Sequence, residues 1–123
     1  MIKHLNLNGI KFINGDFKFV WNEIKKGGLL VAPAAPALKD IKKNKIYYNA
    51  LKNSDFAIVD SGFMVLSLLL FRKIKLKKLS GLSFLKSMLN QPEIKKENSI
   101  FLINPNYKEA LLNNTLFRDY NIK

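Results

Sequence analysis

The chain has 123 residues, a net charge of +12 and no cysteine, which suits one domain with its own core and excludes disulfides and thiolate metal sites. Met1-Ile2-Lys3-His4 lacks the apolar stretch of a signal peptide, and the longest apolar run, Phe63 to Phe71 around Ser67, is far shorter than the ~20 residues that cross a bilayer. We therefore expect a soluble protein of a reducing, cytoplasmic compartment, with residues 1–123 forming a single α/β domain.

In chain order, Ile2–Leu7 and Ile10–Ile13 flank Asn8-Gly9, the preferred pair for a two-residue turn, and predict an N-terminal β-hairpin. Asp16 is a candidate N-cap for a helix whose inner face is Phe17, Val20, Trp21 and Ile24 and which ends at Gly27-Gly28. Leu29–Ala32 reads as a short buried strand running into Pro33-Ala34-Ala35-Pro36, a stretch too rich in proline to be regular. One helix is expected from about Ala37 to Asn53. Phe56–Val59 is a continuous apolar strand, as expected where both faces of a sheet are covered, and a helix opens after Asp60-Ser61-Gly62. Arg72–Leu79 alternates basic and apolar residues as an extended segment would. Ser80-Gly81 opens a helix with Leu82, Leu85 and Leu89 inward. Ser99–Ile103 is expected as a third buried strand, followed by a last helix from about Tyr107 to Tyr120. Strands alternating with helices predict a Rossmann-like parallel sheet. Three core strands would leave its edges little protected, so the architecture reads as truncated.

The charge is carried almost wholly by lysine; Arg72 and Arg118 are the arginines. Arginine is the usual reader of bases, so specific nucleic-acid recognition is not expected. From Ser61 to Pro92 there is no acidic residue, while Arg72, Lys73, Lys75, Lys77, Lys78 and Lys86 all lie there. Such a stretch is either a solvated face or a surface for phosphates or an anionic membrane.

Ligands of open α/β sheets bind beyond the C-terminal strand ends. Three segments are expected there: Ala32–Pro36, Asp60–Phe63 and Asn104–Asn106. Asp60 is their acidic residue, and a carboxylate facing a cleft can act as a general base; equally, it could cap the helix that follows. Gly62 would admit a close substrate, and the helix N-terminus favours anions. The prolines of the 32–36 loop could simply end a strand and start a helix. His4 and Trp21 read as structural. No glycine-rich phosphate loop, metal constellation or Ser-His-Asp set can be assembled from the sequence, and no cofactor is expected.

Three blocks taken together resemble a known family. They are Leu30-Val31-Ala32-Pro33-Ala34-Ala35-Pro36-Ala37-Leu38, the run from Tyr48-Asn49-Ala50-Leu51 through Asp55-Phe56-Ala57-Ile58-Val59 to Asp60-Ser61-Gly62, and Lys78-Leu79-Ser80-Gly81-Leu82. They are similar to motifs of the WecG/TagA/CpsF family of bacterial glycosyltransferases, from about Gly9 to the C-terminus. The resemblance implies an inverting, metal-independent transfer of an N-acetylmannosamine-type sugar from a UDP donor. The implied acceptor is linked to polyprenyl diphosphate, in cell-surface polysaccharide synthesis.

In the same way, the family's catalytic base falls on Asp60, and its Arg before a small residue and Gly falls on Lys78. Substrate contacts are implied for Ala32, Pro33, Ala34, Ser61, Gly62, Lys78, Ser80 and Gly81. The family's Thr-x-Asn falls on Ala32 and Ala34, which have no polar side chain; with the prolines this resembles a subgroup pattern, read as either a change in the sugar or a lost function. Family members are longer, with further strands and often a membrane-directed appendage in their second half. The resemblance thus implies an N-terminal half, completed by a second chain or by oligomerisation and peripheral at the inner face of the membrane. The competing expectations are a non-enzymatic basic module for nucleic acid or an anionic membrane, or an inactive remnant.

Overall fold

A computed structural model describes residues 2–39, 41–96 and 100–122. Two compact units divide the chain, Met1–Phe84 and Leu85–Lys123.

The first unit is built on a four-stranded mixed sheet, so the chain has an α/β fold. Strands β1 (His4–Leu7) and β2 (Ile10–Ile13) form the expected antiparallel hairpin, with Leu7 opposite Ile10. Asn8 and Gly9 take φ of 52° and 79°, the left-handed pair that a tight hairpin turn requires. Asn6 Oδ1 accepts from the Gly9 N–H at 2.9 Å, and the Tyr48 hydroxyl donates to the Asn8 carbonyl at 2.9 Å.

Strands β3 (Leu30–Val31) and β4 (Phe56–Ile58) pair in parallel, Leu30 with Phe56 and Val31 with Ala57, as their apolar continuity predicts. On its other side β4 pairs in parallel with β2, Phe12 with Ala57 and Ile13 with Ile58. The order is β1-β2-β4-β3, so the hairpin is an integral part of the sheet. Phe12, Ala57 and Val59 share one face with Ile41, Leu51 and Leu76 in the core. Ile13 and Ile58 alternate to the other face and are equally buried.

Helix α1 (Phe17–Ile24) starts where Asp16 accepts from the Phe19 N–H at 3.0 Å, and it buries Val20 and Trp21 as expected. Trp21 stacks on Phe17 at 6.2 Å, and Phe17 meets Phe84 at 5.3 Å.

The single helix expected from Ala37 to Asn53 is instead two, α2 (Ala35–Lys39) and α3 (Lys45–Lys52). Asp40, within the expected span, lies outside the described residues. Asn44 starts α3 by accepting from the Tyr47 N–H at 3.0 Å; its amide offers the backbone a cap, which competes with continuing one helix. Around it Lys42, Lys43 and Lys45 crowd like charges where one helix would have to run. Ala35 and Pro36 belong to the first turn of α2, where proline is tolerated, and so are regular after all.

Helix α4 (Gly62–Arg72) ends at Lys73 in the left-handed conformation. Residues 73–80 then run without helix or strand, with Leu76 buried and the lysines exposed.

Helix α5 (Gly81–Leu89) begins in the first unit and ends in the second. Its buried residues are Phe84 and Leu89; Leu82 and Leu85, expected inward, are exposed. Phe84 turns towards the ring of Phe17, so the buried side of the helix runs through positions 84 and 89.

The second unit also holds α6 (Pro92–Lys96), absent from the sequence expectation, and α7 (Tyr107–Asp119), which matches it. Asn106 caps α7 by accepting from the Glu109 N–H at 2.9 Å. Ile100–Ile103 is not a strand: it has no ladder partner among the described residues, and Phe101 and Ile103 are each 90 % exposed. Ser99, the expected start of that strand, lies outside the described residues. A continuous apolar run shows that a segment can pair, not that a partner is present. Leu102 instead lines a cavity of about 460 Å³ with Ala110, Phe117 and Ile122.

Candidate functional site

Because β2, β4 and β3 are parallel, their C-terminal ends share one edge of the sheet, at Asn14, Asp60 and Ala32. Asn104–Asn106, expected at that edge, belongs to the second unit, where no strand precedes it among the described residues.

Asp60 is half-buried, and its carboxylate has no hydrogen-bond or ion-pair partner among the described residues. The cap of α4 is Ser61: its Oγ accepts from the Met64 N–H at 3.2 Å, and its carbonyl from the Val65 N–H. The alternative of Asp60 as a helix cap is thereby removed, and its carboxylate is left unengaged.

The 78–81 segment reaches the same edge because the Leu79 N–H donates to the Val59 carbonyl at 2.9 Å, alongside the exit of β4. Ser80 Oγ accepts from the Ser83 N–H at 3.4 Å, and its carbonyl from the Phe84 N–H at 2.8 Å, which opens α5. A Cβ at Gly81 would lie 2.9 Å from the Ala32 Cβ and 3.7 Å from Asp60 Oδ2. Glycine is what lets the start of α5, the end of β3 and the Asp60 carboxylate meet. A Cβ at Gly62 would lie 3.9 Å from Lys78 Cδ, so the lysine stem passes the N-terminus of α4.

The structure therefore brings together Ala32, Asp60 and Gly81, and beside them Gly62 with Lys78. Pro33 is buried. Ala34 is exposed, and its carbonyl accepts from the Leu38 N–H at 3.3 Å as α2 begins. Two helix N-termini, of α4 and α5, flank the exit of β4, a setting that favours a negatively charged group. Among the described residues no group of three or more His, Cys, Asp or Glu side chains could hold a metal ion.

Asn14 is the residue that sequence reasoning missed. It is 0 % exposed; its Nδ2 donates to the carbonyls of Ile2 and Lys75, and its Oδ1 accepts from the Lys77 N–H. It anchors the 75–77 segment at the sheet edge, and through it the approach to Lys78. The signal was an Asn directly after a buried strand, which reads as a turn residue unless a distant segment is known to need its amide.

Comparison with protein-family models, with curated proteins and with solved structures gave no match to this chain.

Proposed function

We propose that this chain supplies the donor-sugar part of an inverting glycosyltransferase with a Rossmann-like sheet. The observation that carries the reading is Asp60, a carboxylate at the C-terminal end of a central parallel strand, free of any capping duty and beside Gly81. Catalytic groups of α/β folds are found at that edge.

In the transfer, Asp60 takes the proton of the acceptor hydroxyl as that oxygen bonds to the anomeric carbon. The bond from that carbon to the UDP oxygen breaks on the opposite face, and UDP departs with the electron pair. The configuration inverts. Lys78 and the N-termini of α4 and α5 meet the charge that grows on the leaving diphosphate. The loop at Ala32, Pro33 and Ala34 lines the sugar pocket, and Ser61, Gly62, Ser80 and Gly81 let the donor approach the backbone. The donor is a UDP-linked N-acetylmannosamine-type sugar and the acceptor a polyprenyl-diphosphate-linked one, which places the work at the cytoplasmic face of a membrane. The resemblance to the WecG/TagA/CpsF family names the sugar and the acceptor; the free carboxylate and the two helix ends support the chemistry.

The test combines titration with UDP-sugars and a single-turnover transfer assay. The chain alone is expected to bind UDP-N-acetylmannosamine weakly and to transfer negligibly. Joined to the C-terminal half of a WecG/TagA/CpsF enzyme, it should transfer sugar to a polyprenyl-diphosphate acceptor. Asp60→Asn should then lower the rate by about 10²–10⁴-fold with donor binding nearly intact. Equal rates would remove Asp60 from the mechanism, and no preference for UDP-sugars over UMP would remove the reading.

A further inference from the structure

Helix α4 turns an uninterrupted apolar stripe to solvent. At 3.6 residues per turn, Phe63, Leu66 and Leu70 fall on one side, opposite Met64, Val65 and Leu68, which pack on the core. Phe63 is 77 % exposed, Leu70 is 66 % exposed, and Leu66 is more than half exposed. A surface helix ordinarily carries charged residues on that side. Here the first charged residue of the helix is Arg72, its last.

The stripe continues into a groove of about 500 Å³ between α2 and α4, lined by Leu7, Pro36, Leu38 and Phe63 among others. The single charged residue lining that groove is Lys39. Arg72 and Lys73 stand at the C-terminal end of the helix, next to the exposed ring of Phe71. Neither α4 nor the groove carries a carboxylate among the described residues.

An apolar stripe edged by cations is complementary to the surface of an anionic bilayer. The apolar side chains fit the boundary between headgroups and acyl chains, and the cations fit lipid phosphates. A nucleic acid would satisfy the cations and leave the stripe wet. A second copy would bring together two chains of net charge +12 each.

We propose that α4 docks the protein on an anionic membrane, with Phe63, Leu66 and Leu70 below the headgroups and Lys39 and Lys73 on lipid phosphates. No described helix is long and apolar enough to cross a membrane, so the helix lies in the interface. This inference does not depend on the transfer chemistry proposed above.

The experiment is vesicle flotation of the full chain. It should float with phosphatidylcholine–phosphatidylglycerol vesicles, stay in solution with phosphatidylcholine alone, and be released at roughly 1 M salt, where screening acts over ~3 Å. Leu66→Gln/Leu70→Gln should lower the bound fraction about tenfold or more. Phe63→Trp should shift its emission to the blue only with the anionic vesicles, against a constant signal from buried Trp21. Flotation that is equal for parent and Leu66→Gln/Leu70→Gln, no flotation at all, or an unshifted Phe63→Trp would overturn the proposal. So would a dimer in light scattering that Leu66→Gln/Leu70→Gln dissociates, because it would assign the stripe to a second copy.

Discussion

The Lys77 backbone N–H donates to Asn14 Oδ1 at 2.7 Å, across 63 positions of sequence. The same side chain donates to the carbonyls of Ile2 at 2.6 Å and Lys75 at 3.3 Å, and it is wholly buried. One amide thus ties the start of β1 and the lysine-rich segment to the end of β2. Two of these partners are backbone groups of a segment with no ladder of its own, so the side chain stands in for a missing strand.

Asn14→Leu is expected to destabilise the fold by roughly 1–3 kcal/mol, because three part-buried backbone groups lose their partner and an apolar side chain cannot replace it. Urea unfolding followed by circular dichroism would read this as a lower midpoint. A loss below about 0.5 kcal/mol, the ordinary range of a surface substitution, would show that the 75–77 segment is held by Leu76 alone.

Ser61 and Asp60 are adjacent but do different work, and stability separates them. Ser61→Ala removes the cap of α4 and is expected to cost about 1 kcal/mol. Asp60→Asn touches no bonded group and should stay within about 0.5 kcal/mol of the parent. Thermal unfolding of both variants checks the assignment. A larger loss for Asp60→Asn than for Ser61→Ala would return Asp60 to a structural role and weaken its case as a base.

Local chemistry made much of the first unit legible. Asn8-Gly9 fixes the hairpin because two left-handed residues in a row are needed there. Asp16 and Asn106 cap their helices. Leu30–Val31 and Phe56–Ile58 pair in parallel, as their apolar runs predict. What was not legible depends on distant partners. The parallel pairing of β2 with β4 could not be read from a hairpin whose alternation already looked satisfied. The Asn44 cap was hidden by a pattern that tolerated one long helix. Ile100–Ile103 carries the composition of a strand and no ladder. At the candidate site, the position of Asp60 at a strand end followed from the sequence, while its freedom from capping and the approach of Gly81 required coordinates.

Gly81 leaves no room for a side chain towards Ala32, and this pair gives the sharpest test of the site's geometry. A Cβ at position 81 would lie 2.9 Å from the Ala32 Cβ, a distance two side-chain carbons do not tolerate. The Ala32 methyl cannot rotate away, so the start of α5 or the end of β3 must move. Gly81→Ala is therefore expected to destabilise by about 1–3 kcal/mol through overpacking, although alanine is the better helix former. Ala32→Gly alone should cost less than that, since Ala32 is exposed and follows the strand. Combined, the two substitutions exchange the methyl group across the contact, and most of the Gly81→Ala loss should be recovered. Denaturant unfolding of the four proteins yields the coupling directly; neighbours in contact typically couple by about 0.5–3 kcal/mol. The same pair bears on function, because the Gly81 Cβ position is also 3.7 Å from Asp60 Oδ2. In the Gly81→Ala variant UDP-sugar binding should weaken, and in the double variant the methyl still faces the carboxylate, so binding should stay weak while stability returns. Additive losses in stability would show that position 81 and Ala32 do not touch, and recovery of both properties together would mean that the methyl group obstructs the fold without obstructing the site.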